Sequence, residues 1–150
     1  VLVGAILMIL GVSLASTNYM IDAGVPERLF AVIESYVVGQ ASFLFALLIF
    51  LLILGAILDI FSAIILVVPL ILPIASQYGV HPVHLGIVFL ATMELGYLTP
   101  PVGLNLFISS FRFERSITEI FRATFPFFVL LLMSVIIIAY WPALSLVLLD

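Results

Sequence analysis

The sequence predicts an all-α integral membrane protein, and three observations carry that prediction. The 150-residue chain is 66 % hydrophobic and 8 % charged, with a mean hydropathy of +1.49. A soluble domain carries about 25 % charged residues, and a water-soluble core of this size has no room for so much apolar surface. The low-charge runs 1–21, 41–58, 60–80, 85–111 and 123–149 each approach the roughly 20 residues that a helix needs to cross ~30 Å of hydrocarbon. The period of two expected of a membrane barrel is absent.

Taken in order, residues 1–21 read as a transmembrane helix ended by Asp22, Gly24 and Pro26. Residues 26–38 place Leu29, Phe30, Ile33 and Val37 against Glu27, Arg28, Glu34 and Ser35. That spacing predicts an amphipathic interfacial helix. A turn at Gly39-Gln40-Ala41-Ser42 leads into residues 43–78, which carry no charge except Asp59. The run is longer than a straight crossing requires. Gly55 and Asp59-Ile60-Phe61-Ser62 interrupt it, and Pro69 and Pro73 follow. A re-entrant hairpin with its tip at Gly55–Ser62 is favoured over one tilted helix.

After a polar connector at 77–82, residues 84–111 form a second long apolar run broken at Thr99-Pro100-Pro101-Val102-Gly103. It reads as a discontinuous crossing or a second hairpin. Residues 112–122, with Arg112, Arg115, Arg122, Glu114 and Glu119, suit an interfacial helix. Pro126 opens the last span, 124–149, with Tyr140 and Trp141 as interface aromatics. If one central segment crosses and the other doubles back, Arg28 lies opposite the other three arginines. The positive-inside rule then puts Arg112–Arg122 in the cytoplasm and the C-terminus outward.

Composition also excludes. Four basic against eight acidic residues give a net charge of −4, and no basic cluster supports a nucleic-acid partner. Without cysteine there is no disulfide or thiolate chemistry. His81 and His84 flank Pro82 and read as solvated connector residues rather than metal ligands. The chain begins at Val1 inside an apolar run, without the basic lead-in of a signal peptide. The expectation is the C-terminal piece of a longer polytopic protein.

The residues that could carry chemistry cluster at the two interruptions. Asp59 near mid-membrane costs about 2.5–3.5 kcal/mol on insertion scales and is therefore expected to be functional. It can couple an ion, cap the helix over Ile60–Ala63, or do both. At the second break, Pro100 and Pro101 supply no N–H and obstruct a continuing helix. Thr99 and Pro100 are helix-start signals, so a new helix is expected at Pro100. Its positive end favours an anion. The carbonyls ending the preceding half-helix at Gly96 suit a hard cation such as Na⁺, an arrangement used by secondary transporters. Broken backbone in lipid is tolerated where protein buries it or a polar cavity satisfies it. Glu94 lies one turn before the break and either lines the site or faces away from it. Ser62 is expected to satisfy a carbonyl in its own helix.

Gly55-Ala-Ile-Leu-Asp59, Pro69-Leu-Ile-Leu-Pro73, Gly79-Val-His-Pro82-Val-His-Leu-Gly86 and Thr99-Pro-Pro-Val-Gly-Leu-Asn105-Leu-Phe107 occur in that order. This set resembles the C-terminal half of the large permease subunit of TRAP (tripartite ATP-independent periplasmic) transporters, over nearly the whole chain. The resemblance implies an ion-transporter-type inverted repeat with a re-entrant hairpin and a discontinuous transmembrane helix in each half. It implies Na⁺-driven symport of organic acids by elevator-like movement, with no other cofactor. The implied partners are a small membrane subunit and a periplasmic substrate-binding protein, in a bacterial or archaeal inner membrane. Carried onto this chain, Gly55, Asp59 and Ser62 belong to the hairpin tip. Gly96, Thr99, Pro100, Pro101, Gly103 and Asn105 belong to the unwound stretch. Backbone near Gly55, Gly96 and Thr99 would hold Na⁺. An intramembrane aspartyl enzyme would need two carboxylates sharing a proton, and only Glu94 could join Asp59. A scaffold subunit has no need of mid-membrane breaks. Another anion symporter of similar architecture is the nearer alternative.

Overall fold

The computed structural model of the chain describes residues 35–58, 60–100 and 103–148, with residues 19, 22–24, 28 and 31. The expected first span and most of the 26–38 helix lie outside these residues. All the regular structure described is helical: α1 (Gln40–Gly55), α2 (Ile60–Gln77), α3 (Pro82–Gly96), α4 (Leu104–Phe113), α5 (Ile117–Tyr140) and the short α6 (Ala143–Leu146). By length and composition α2 and α5 could each cross a membrane.

The long apolar run at 43–78 is therefore two helices. They fold back on each other, because the start of α1 lies beside the end of α2. Phe43 stacks on Tyr78 with ring centroids 4.6 Å apart. The Gln40 side-chain amide donates to the Gly79 carbonyl at 3.1 Å, and the Tyr78 hydroxyl donates to Val37 at 3.0 Å. These contacts close the base of a helical hairpin. Pro69 and Pro73 sit within α2, each depriving a carbonyl one turn earlier of its amide partner.

α3 lies between the hairpin and α5. Leu85, Phe89 and Met93, spaced by four, join Leu44, Leu47, Leu51 of α1 and Ala63, Ile74, Ala75 of α2 in one buried cluster. Val88 and Leu95, on another face of α3, meet Leu48 of α1 and Val135 and Ala139 of α5. Helix α3 thus buries two faces at once, which explains why it is apolar almost all round. α1 and α3 run parallel from the base, and α2 and α5 run back toward it.

Helix α5 differs from the expected 124–149 span in a physically clear way. It starts at Ile117, capped by the Ser116 hydroxyl accepting from the Glu119 amide, and Pro126 lies inside it. The Thr124 hydroxyl donates to carbonyls of Ile120 and Phe121 within its own helix, at 3.1 and 3.2 Å, as a threonine inside a helix commonly does. The arginine-bearing stretch at 112–122 is accordingly the end of α4, a bend at 114–116 and the first turns of α5. Most of α5 is exposed, including Phe125, Phe127, Leu130 and Ile137.

His84 also departs from expectation. It lies in the first turn of α3, only 1 % exposed. Its Nε2 is 3.1 Å from the Ala139 carbonyl and its Nδ1 is 2.9 Å from the Ser145 hydroxyl. A carbonyl can only accept, so Nε2 carries a proton. The Ala139 carbonyl belongs to the last turn of α5, where intrahelical donors run out. His84 supplies the missing donor and ties α3 to α5 and α6. His81 instead caps α3, accepting at Nδ1 from the Val83 amide.

Candidate functional site

At the ends of α1 and α3 remote from the base, the two helices touch backbone to backbone. A Cβ built on Gly96 would stand 2.7 Å from the Gly55 Cα and 2.8 Å from its carbonyl carbon. One built on Gly55 would meet the Met93 oxygen at 2.9 Å and the Gly96 Cα at 3.2 Å. Only glycine at both positions permits this approach. The turn beyond α1 completes the junction. The Gly103 amide donates to the Ala56 carbonyl at 3.2 Å, joining the hairpin tip to the far side of the second break. Gly55, Ala56, Gly96, Tyr97 and Gly103 are all buried.

The second break occupies residues 97–103, between α3 and α4. Its first half winds on as turns, with Tyr97, Leu98 and Thr99 amides donating to Met93, Leu95 and Gly96 carbonyls. Gly103 then adopts left-handed backbone, φ 42°, and serves as the N-cap of α4. The carbonyl oxygens of Thr99 and Tyr97 close around it, 2.8 and 2.9 Å from where a Cβ would stand.

One expectation for this break is corrected. The helix after it starts at Leu104, not Pro100, with Gly103 as its N-cap and the Gly103 amide on the Ala56 carbonyl. Thr99 turns back toward its own helix. Its hydroxyl donates back to the Leu95 carbonyl at 3.2 Å, as threonines near a helix end often do. The helix N-terminus facing the junction is therefore that of α4, whose N-cap has no side-chain hydrogen bond. The carbonyls of Met93, Leu95 and Gly96 accept turn amides, and those of Tyr97 and Thr99 lie against Gly103.

Glu94 and Asn105 bracket the break from opposite sides. The Asn105 side-chain amide donates to Glu94 Oε1 at 3.2 Å. Glu94 is exposed and Asn105 half-buried. The carboxylate sits near the start of α4, where the helix dipole favours negative charge by about 0.3–1 kcal/mol. The end of its own helix disfavours it by a similar amount. The amide contact, worth about 1.5–3 kcal/mol to a charged acceptor, decides where the side chain points.

Asp59 and Pro101 lie outside the described residues; Asp59 falls immediately before Ile60, where α2 starts, and Ser62 lies in the first turn of α2. Pro100 is an exposed turn residue. The structure thus brings Gly55, Gly96, Gly103, Thr99, Glu94 and Asn105 to one end of the bundle. Sequence reasoning passed over Tyr97, Met93 and Leu106, which line the junction at 6 % exposure or less. Their placement between Gly96 and Gly103, or one helical turn from them, was the available signal. No group of three or more His, Cys, Asp or Glu among the described residues could hold a metal ion. An apolar cleft between the hairpin arms, lined by Phe43, Leu47, Phe50, Leu70 and Ile74, lies toward the base and offers an ion almost no polar surface.

Among the described residues the chain is all-helical and strongly apolar, and its two helix interruptions meet at one end of the bundle. The chain belongs to the family of the tripartite ATP-independent periplasmic transporter DctM component, whose pattern matches residues 1–144. It is 36 % identical over 124 residues to the C4-dicarboxylate TRAP transporter large permease protein DctM of Pseudomonas aeruginosa, covering 83 % of this chain and 29 % of that one. The protein of the same name from Vibrio cholerae is 31 % identical over 140 residues, 93 % of this chain and 31 % of its own length. The isethionate TRAP transporter permease protein DctMQ of Oleidesulfovibrio alaskensis is 32 % identical over 126 residues, 84 % and 20 % of the two lengths. The chain spans about a third or less of the length of the curated relatives it matches. These relatives are transporter components and not enzymes.

Proposed function

We propose that this chain is the C-terminal membrane part of a secondary permease that takes up organic acids with Na⁺. The observation that carries the reading is the junction itself. Gly55 against Gly96 and the Gly103 amide on the Ala56 carbonyl bring two helix interruptions to one place. The carbonyls of Tyr97 and Thr99 offer hard oxygen ligands there for Na⁺ as cargo, joined by backbone at Gly55 and Gly96. The α4 N-terminus offers partial positive charge to an acid. Relatives are named for C4-dicarboxylate and for isethionate. A carboxylate and a sulfonate share anionic oxygens, so the substrate class is organic anion. Asp59, next in sequence before α2, is the ionisable residue of this segment and the one we assign to ion coupling.

The α1–α2 hairpin is re-entrant on this reading. α1 and α3 have 16 and 15 residues, about 24 and 22 Å at 1.5 Å per residue, short of ~30 Å of hydrocarbon. The base with the C-terminus faces outward, and Arg112, Arg115 and Arg122 face the cytoplasm of a bacterial or archaeal cell, in its inner membrane. The partners are a small membrane subunit and a periplasmic binding protein that delivers the acid, and transport proceeds by an elevator-like movement.

Uptake of labelled succinate and isethionate into proteoliposomes tests this. The full-length permease is reconstituted with its small subunit and binding protein, under a Na⁺ or a K⁺ gradient. Wild type takes up acid only with Na⁺, and Asp59→Asn lowers the rate at least tenfold while still inserting, whereas Thr99→Ala, which keeps the Thr99 carbonyl, lowers it less. Uptake indifferent to Na⁺ would reject Na⁺ coupling, and no uptake of either acid would favour a scaffold subunit.

A further inference from the structure

We propose that the cleft between α1 and α2 holds one acyl chain of a membrane phospholipid, which fills the hairpin and fixes the spacing of its arms. The cleft has a volume of about 360 Å³ and is lined by Phe43, Ala46 and Phe50 of α1 and by Val67, Leu70 and Ile74 of α2. An apolar cavity of about 150 Å³ is already enough to stay dry and bind benzene. Because the arms run antiparallel, Phe43 and Ile74 mark the base end of the cleft, and Phe50 and Val67 mark the other. Seven residues of helix separate these ends on each arm, about 10 Å at 1.5 Å per residue, against ~15 Å for one leaflet's half of the hydrocarbon. That is the length of a chain segment rather than of a small solute.

The arms leave this space because they are packed differently. α1 buries Phe43, Leu44, Leu47, Leu48, Leu51 and Gly55 along its whole length. α2 buries Ala63 toward the tip and Ile74 and Ala75 toward the base. Between them, among the described residues, none from 64 to 73 is buried, although every one is apolar. Pro69 and Pro73, which a helix interior accommodates only with distortion, fall in the same stretch. The middle of α2 is thus the part of the hairpin that protein holds least. An empty cleft there forfeits dispersion contacts along its lining, and water inside it would lack the polar partners that buried water needs. Hydrocarbon meets neither objection.

A lipid chain also matches the polarity of the cleft along its axis. At the base end Val37 joins the lining and Phe43 stacks on Tyr78. Tyr36, Gln40 and Gln77 are exposed beside them, a mixture of aromatic and polar groups suited to headgroup level. Farther in, the lining is apolar, and its rim continues into exposed Phe45, Ile49 and Ile53 of α1 and Leu66 and Leu72 of α2. The occupant so described has one polar end and one apolar tail, and it enters from the membrane.

In the test, the full-length permease is reconstituted into vesicles of phosphatidylethanolamine and phosphatidylglycerol. A trace of the phosphatidylethanolamine carries a diazirine midway along one acyl chain. Photolysis and peptide mass spectrometry then locate the attached chain, before and after transfer to excess dodecyl maltoside. In vesicles, label falls on Ala46, Leu70 and Ile71 in the cleft and on exposed Leu130 and Ile137 of α5. In detergent the α5 label drops about tenfold or more while the cleft label stays within about twofold, the mark of a chain held more tightly than its surroundings. Ala46→Phe, which fills the cleft with a ring, lowers the label at Leu70 and Ile71 about tenfold and leaves α5 unchanged, whereas Leu130→Phe leaves the cleft label unchanged. Unlabelled phosphatidylethanolamine competes for the cleft, and palmitate does not. Parallel loss of both labels in detergent would reduce the cleft chain to ordinary boundary lipid. No cleft label in vesicles would mean that the rest of the permease fills the space. Either result overturns the proposal, as does competition by palmitate or a cleft label that survives Ala46→Phe. The wild-type comparison needs no variant, so a misfolded Ala46→Phe leaves the test intact.

Discussion

Gly96 and Gly86 stand ten residues apart on the same helix and have opposite surroundings. A Cβ at Gly96 would be driven into backbone, 2.7 Å from the Gly55 Cα, and backbone cannot swing aside as a side chain can. A Cβ at Gly86 would meet nothing within 4 Å. Gly96→Ala is expected to cost about 1–3 kcal/mol, the range for overpacking a tight core. Gly86→Ala should match or slightly exceed wild type, since alanine is the better helix former by about 0.8–1 kcal/mol in water. Thermal unfolding of the full-length permease in detergent checks the pair; equal stability of the two variants would mean that α1 and α3 do not touch as described. The glycines at 55, 96 and 103 were legible in the sequence as interruptions, because missing side chains and prolines act locally. That Gly55 and Gly96 face each other was not legible, since nothing local links residues 41 positions apart.

Between elements, His84 shows how polar groups hide in an apolar bundle. Its position beside Pro82 and His81 suggested a solvated connector, yet α3 starts at Pro82 and carries His84 inward. The reason is tertiary: the last turn of α5 has a carbonyl without a donor, and only a partner helix can answer it. His84→Ala should cost about 1–3 kcal/mol by orphaning the Ala139 carbonyl. His84→Gln, which keeps a donor of similar reach, should fall between that and wild type in the same thermal assay. The start of α4 also differs from the expected Pro100. Thr-Pro is a sound local start signal, yet Gly103 is the N-cap, its amide on the Ala56 carbonyl, and the helix starts at Leu104. The start of α5 at Ile117 was written in Ser116 and Glu119, three residues apart, a helix-start pattern that the arginines around it masked.

Over the whole molecule, the polar ties gather at the base, where Gln40, Tyr78, His84 and Tyr140 bind backbone or hydroxyl partners. The glycine junction occupies the far end. Such a division suits a body held firmly at one end and open to a ligand at the other. Beyond its first turns, which expose Glu119 and Arg122, the exposed face of α5 is almost wholly apolar, the kind of surface that lipid covers. Composition alone made the membrane class legible, and the family resemblance implied that tip and break share a site. The contact that joins them, Gly55 on Gly96, required the fold. The most direct test of that meeting is cysteine protection in a full-length permease otherwise free of reactive cysteines. Ile57→Cys at the tip, Thr99→Cys in the break and Leu130→Cys on α5 are each alkylated across a range of Na⁺ concentrations, with K⁺ as control. The account predicts that Na⁺ slows alkylation at 57 and 99 with one shared half-effective concentration and leaves 130 unchanged. Protection of only one of the two, or of neither, would contradict a common ion site at the junction.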